Sequence, residues 1–152
     1  MQQSTTPTPS SSLTFTVLGK PAPQGSKRHV GRGVMVESSK RCKPWRQDVR
    51  HTALDLRPEG WYANMDAAIS ISVVFVFARP KNHFRTNGQL KPSAPTYCTA
   101  RIGDVDKLAR SILDSLAGVL FAADEQVINL IAQKRYANDR EQPCAIITVS
   151  AV

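Results

Sequence analysis

Acidic residues are scarce in this chain: 12 Asp and Glu stand against 20 Lys and Arg, a formal charge of +8 over 152 residues. That balance points away from a basic partner and towards an acidic one, such as nucleic acid or an anionic surface, the plain alternative being a solubilising surface. Cysteine is scarcer still. Cys42, Cys98 and Cys144 are odd in number, widely spaced and in no C-x-x-C pattern, which suggests neither a disulfide framework nor a thiolate zinc site and fits a reducing compartment. No apolar run is long enough to cross a bilayer, and the opening residues have neither a basic start nor an apolar core. A cytosolic protein without membrane association is expected, and no internal repeat is visible.

What is present suits one domain. The apolar share of 41% and charged share of 21% are near the globular norm and exclude wholesale disorder, and the length suits a single core. Residues 1–12 are almost all Ser, Thr, Pro and Gln and read as a disordered tail ahead of a domain over 13–152. Most of the excess charge is early: ten Lys and Arg up to Arg57 face only Glu37, Asp48 and Asp55.

Residues 13–18 alternate apolar and polar, as a half-buried strand does. The following Gly19-x-Pro21-x-Pro23-Gln24-Gly25-Ser26-Lys27-Arg28 is not a nucleotide-binding P-loop, because five residues separate its glycines and Ser26 precedes Lys27. It reads either as a rigid turn presenting N–H groups and cations to a phosphate or as an ordinary turn with exposed bases. Residues 29–37 suggest a hairpin around Gly31-Arg32-Gly33. From Lys43, Pro44 suits a first helical turn, Trp45, Val49, Ala53 and Leu56 recur at helical spacing, and Arg46 and Arg50 share another face. His51 has no partner at ligand spacing and reads as a surface or satisfied histidine. Residues 67–78, rich in β-branched and aromatic side chains, predict the central strand. The basic stretch 79–101 then forms a long loop, functional or mobile, whose Phe84 and Tyr97 either stack on bases or pack on their own domain. Residues 127–136 and 144–152 read as two strands joined as a hairpin by the turn 137–143. The fold expected is α/β of the α+β kind: one mixed β-sheet packed against two main helices.

Five of the twelve acids fall between Asp104 and Glu125. There Val105, Leu108, Ile112 and Leu116 repeat at three and four, predicting a helix that ends at Gly118. Asp104 and Asp106 sit at its N-terminus, Arg110 lies one turn beyond Asp106, and Asp124 precedes the next strand, where the chain can fold back towards that N-terminus. One reading makes Asp104 an N-cap, Asp106 a first-turn acid favoured by the helix dipole and Asp124 a turn residue. The other has the gathered carboxylates, which repel one another, relieved by a hard dication such as Mg2+. On DNA that arrangement suits phosphodiester hydrolysis, with Arg110 or Lys107 neutralising the developing charge.

Asp104-x-Asp106-Lys107-Leu108, then Leu113-Asp114-x-Leu116 and Asp124-x-Gln126-Val127, resembles the signature of RusA-type crossover junction endodeoxyribonucleases, the Holliday junction resolvases often carried by phages and prophages. The segments Gly19-x-Pro21-x-Pro23-Gln24-Gly25-Ser26 and Lys43-Pro44-Trp45 resemble the phage branch of that family. The resemblance implies Asp104, Asp106 and Asp124 as catalytic ligands of Mg2+, with Mn2+ as a substitute, and Arg110 where a basic catalytic residue, commonly Lys, is found. Ala123-Asp124 stands where many relatives have two acids, with Glu125 as the fallback. Arginine keeps the charge of lysine but not its geometry. Asp114 reads as structural, pairing with Arg110. The resemblance further implies a homodimer acting on branched DNA, the four-way junction, in a bacterial cytoplasm and without a small-molecule cofactor. Lys27, Arg28, Arg32, Lys43, Arg46, Arg50, Lys107, Lys134 and Arg135 are the expected DNA contacts. A non-catalytic nucleic-acid-binding module and a nuclease for other branched DNA are the alternatives.

Overall fold

A computed structural model describes residues 12–25, 27–29, 31, 35–37, 40–61 and 65–152, with backbone alone at 27–29 and 35–37. Its organising strand is β4 (Ile69–Phe77), in which Ile69, Ile71, Val73, Phe75, Val76 and Phe77 are all buried. A strand apolar over so much of its length needs a neighbour on each edge. β6 (Cys144–Ala151) takes one edge antiparallel and β5 (Val127–Tyr136) takes the other in parallel, while β1 (Ser12–Leu18) adds to β6 antiparallel. The order is β1-β6-β4-β5, with a separate antiparallel pair of β2 (Lys27–His29) and β3 (Met35–Glu37).

Period-two alternation gives the sheet two unlike faces. Phe15, Ile147, Val73 and Ala132 lie opposite one another across the four strands on one face, and Thr14, Thr148, Ser72 and Ile131 on the other. Helices α1 (Cys42–Leu56) and α2 (Val105–Leu116) pack against the first face through Trp45, Val49, Ala53, Leu108, Ile112 and Leu116. Each fully buried side chain of the size of Ile112 contributes about 1.5–3 kcal/mol. Leu56, expected in the buried stripe, is the last residue of α1 and is 52% exposed.

The mixed sheet with two helices is the α+β domain expected, but the last two strands do not form a hairpin. β4, α2 and β5 make a parallel crossover, which places β4 between β5 and β6. The seven-residue turn 137–143 steps across the end of β4, where Ala137 N–H donates to Phe77 O at 2.8 Å. β1 starts at Ser12, one residue ahead of the strand start expected, and the tail before it lies outside the described residues. At the start of the stretch 79–101, Arg79 donates from Nε to Ala137 O and from Nη1 to Pro95 O, both at 2.8 Å. Among the described residues no helix is long and apolar enough to cross a membrane.

Candidate active site

Asp104 occupies the N-cap position of α2 with extended backbone, yet its carboxylate makes no capping bond. It lies 3.8 Å from Lys107 Nζ and is 75% exposed. Asp106, in the first turn, and Arg110, one turn on, are also exposed. A carboxylate that leaves the helix N–H groups alone and faces solvent is available to an external ligand.

The chain ahead of these acids is held firmly. Lys134 Nζ donates to Gly103 O at 2.9 Å. Gly103 has φ +136°, and a Cβ there would stand 3.1 Å from Pro23 Cγ and 3.2 Å from Leu108, so only glycine fits the approach. The segment Pro21 to Gly25 straps this end of the helix: Gln24 N–H donates to Lys107 O at 3.1 Å, and Ser111 Oγ donates to Ala22 O at 3.0 Å. Sequence reading assigned no role to Ser111, a buried serine on the core face, which was the available signal.

Asp124 opens a short 3-10 turn ahead of β5. Gln126 builds that turn, its Oε1 accepting from Ala122 and Ala123 N–H at 2.8 Å each and its Nε2 donating to Met65 O at 2.6 Å and Ala67 O at 2.9 Å. The glutamine two places after Asp124 thus anchors it to the start of β4, leaving Asp124 and Glu125 exposed.

The two acidic groups do not meet within one chain. Asp104 stands beside Lys134 near the C-terminal end of β5, whereas Asp124 precedes its first residue. The length of α2 and the rise of β5 set them on the order of 20 Å apart. Among the described residues no group of three His, Cys, Asp or Glu is placed to hold a metal. The chain does not fold Asp124 back to the helix N-terminus, because a 12-residue helix delivers it to the opposite end.

The basic residues divide. Lys43 and Arg50 are exposed and Arg46 half-buried along α1, and they share a groove with Asp114. Arg50 Nη1 also donates to Ala117 O at 3.2 Å, supporting the end of α2. Asp114 makes no ion pair with Arg110, contrary to the spacing expectation; Lys107 pairs with Asp104 and Arg135 with Glu141. Lys134 donates to Gly103 O and keeps its charge, whereas Arg135 forms a two-pronged pair with Glu141 that offsets its own. The side chains of Lys27 and Arg28, and Arg32 altogether, lie outside the described residues. His51 is exposed on α1, and Phe84 and Tyr97 are 38% and 58% exposed.

Hydrogen bonding from Arg135 holds the Glu141 carboxyl down at about 2, from an ordinary 4.5. A depressed carboxyl stabilises the fold above its unfolded pKa and loses that contribution as pH falls from about 4.5 towards 2. Glu141→Gln is expected to cost about 1–2 kcal/mol at neutral pH, a range set by the pair's partial exposure. It should also flatten the acid limb of the stability curve, and thermal melts at pH values between 2 and 7 check both effects.

A single-domain α+β protein with exposed acids at a helix N-terminus and a basic body is a fold suited to handling DNA. Residues 19–149 match the family model described as endodeoxyribonuclease RusA. The chain belongs to the RusA endodeoxyribonuclease family and is thereby an endodeoxyribonuclease of the junction-cutting type, not a non-catalytic binding module. No curated protein matched the chain.

Proposed function

We propose that the protein is a homodimer that resolves four-way DNA junctions by paired, symmetric phosphodiester cleavage dependent on Mg2+, in recombination or repair. The observation that carries this reading is the separation of Asp104 and Asp106 from Asp124, with an open strand edge between them. β5 is the edge strand of the sheet. The stretch 96–98 covers its outer edge only near the C-terminal end, where Tyr136 N–H donates to Thr96 O and Cys98 N–H to Lys134 O. Among the described residues nothing pairs with that edge over 127–133, where Ile128, Leu130 and Ile131 are 64%, 40% and 58% exposed. An open edge carrying branched apolar side chains favours strand pairing with another chain.

Antiparallel pairing of β5 with the same strand of a second copy, about a two-fold axis near Leu130, sets the start of one strand against the end of the other. Asp124 stands at the first position and Lys134, which holds Gly103 ahead of Asp104, at the second. Each of two sites is then built from Asp104 and Asp106 of one chain and Asp124 of the other, with Glu125 as the fallback. These carboxylate oxygens are hard donors suited to Mg2+ or Mn2+. When bound, the ion supplies Lewis-acid polarisation of the scissile phosphate and acidifies the attacking water. Arg110 and Lys107 neutralise the charge that develops on the phosphate. Lys43, Arg46 and Arg50, with Lys27, Arg28 and Arg32, grip the backbone, so that shape more than base sequence is recognised. A two-fold dimer suits the near two-fold symmetry of a four-way junction. Cys98 and Cys144, buried and without a disulfide, fit a reducing cytoplasm, here that of a host to a phage or prophage.

Incubating a labelled four-way junction with and without Mg2+ tests the reading. Symmetric paired cuts are expected only with the metal; cleavage of flaps or forks in preference to the junction would reassign the substrate, and no cleavage of any branched DNA would sink the proposal.

A further inference from the structure

The Pro21 to Gly25 strap and the start of α1, two stretches distant in sequence, come together on α2. Gln24, Lys43, Arg46, Gln47, Arg50, Asp114 and Ser115 are among the residues lining a groove of about 580 Å³. Three cations face it against the single carboxylate of Asp114, leaving it net positive. Gln24 Oε1 is fully buried and has no hydrogen-bond partner among the described residues. The other end of this amide is an NH2, so Gln24, which lines the groove, has a donor of the kind an anion there would take.

The groove lies in line with the acidic end of α2. Asp106, Arg110 and Asp114 follow one another at four-residue intervals on one side of the helix, so Asp114 stands about 12 Å along the axis from Asp106. At an axial rise of 3.4 Å per nucleotide, that span corresponds to about three or four nucleotides. From this juxtaposition we infer that the groove seats a backbone phosphate of the cut strand, about three or four nucleotides from the bond that is broken. Lys43 and Arg46 supply its charge, Gln24 supplies its hydrogen bond, and Arg50 keeps the floor in place through Ala117 O. A compact phosphate fits between these donors, and the charge of the groove favours a polyanion over a neutral ligand. The assignment rests on the nuclease reading for its polarity towards Asp106; as a phosphate seat it stands on the groove alone.

The test uses the full chain and a four-way junction without divalent metal, with binding measured across about 50–200 mM salt. Lys43→Ala and Arg46→Ala are each expected to lower the slope of log affinity against log salt, and the two together to lower it by about 0.7–0.9, the loss of one phosphate contact. Arg46→Lys should restore most of the slope, and Gln24→Ala should weaken binding several-fold with the slope unchanged. Neutralising one phosphate with a methylphosphonate three or four nucleotides from the cut should weaken the wild type much more than the variant carrying both Lys43→Ala and Arg46→Ala. The seat is overturned if both alanine variants keep the wild-type slope. It is equally overturned if their loss of binding tracks a loss of thermal stability that Arg46→Lys also shows. Cleavage by the wild type on adding Mg2+ reads the nuclease assignment separately, because the slopes are measured without it.

Discussion

Asp106→Asn is expected to bind a four-way junction with near wild-type affinity and to cut it about a thousandfold more slowly or worse. The size follows from the proposed role. Asparagine keeps one oxygen ligand but removes the negative charge that favours a hard dication, and several kcal/mol of transition-state stabilisation are lost with the ion; each 1.36 kcal/mol is tenfold in rate. Binding survives because Asp106 is exposed and carries no hydrogen bond on which the fold depends, and removing a negative charge beside DNA does not oppose association. Gel-shift affinity and single-turnover cleavage, measured on the same preparation, separate the two effects. Cleavage at the wild-type rate would remove Asp106 from the chemistry. If cleavage and binding instead fell together, Asp106 would belong to DNA recognition.

The second large effect is a rescue. Asp106→Asn and Asp124→Asn should each be inactive alone, yet the two chains mixed under conditions of subunit exchange should recover nicking. In a mixed dimer with shared sites, one site carries both substitutions and the other carries neither. Half the dimers are mixed at random assortment, so about a quarter of the wild-type sites are restored, cutting one strand of a junction instead of two. If all three acids acted within one chain, every site in the mixture would lack an acid and no activity would return. The expectation rests on the roughly helix-long separation of Asp104 and Asp106 from Asp124, with the open edge of β5 lying between them. A substitution at that edge, such as Leu130→Asp, would confound folding with assembly. Complementation avoids this by leaving the edge intact.

Much of this was legible before any coordinates. Three- and four-residue repeats marked α2, β-branched alternation marked β4 as the central strand, and the acids stood out against a basic background. These are local signals, written by the side-chain period of a helix or strand and by charge. The pairing of strands was not legible, since residues 127–136 and 144–152 read equally well as a hairpin or as strands separated by a third. Only the need of β4 for a partner on each edge, met by β5 on one side and β6 on the other, resolved it. The fate of the charges was equally hidden. Lys134 and Arg135 look in sequence like a basic pair for DNA, but one holds the Gly103 carbonyl and the other the Glu141 carboxylate, contacts formed between distant parts of the chain.

By itself the sequence determined the family and the α+β character and named the candidate acids, because those depend on residue type and spacing along one segment. The tertiary structure decided where the acids stand. A 12-residue helix holds Asp124 about its own length away from Asp104 and Asp106, and the free edge of β5 marks the place where a second chain would close that distance. It also brought Gln24 beside Lys43 and Arg46 on α2, a meeting across distant segments that depends on how the strap crosses the helix and that no local spacing reports.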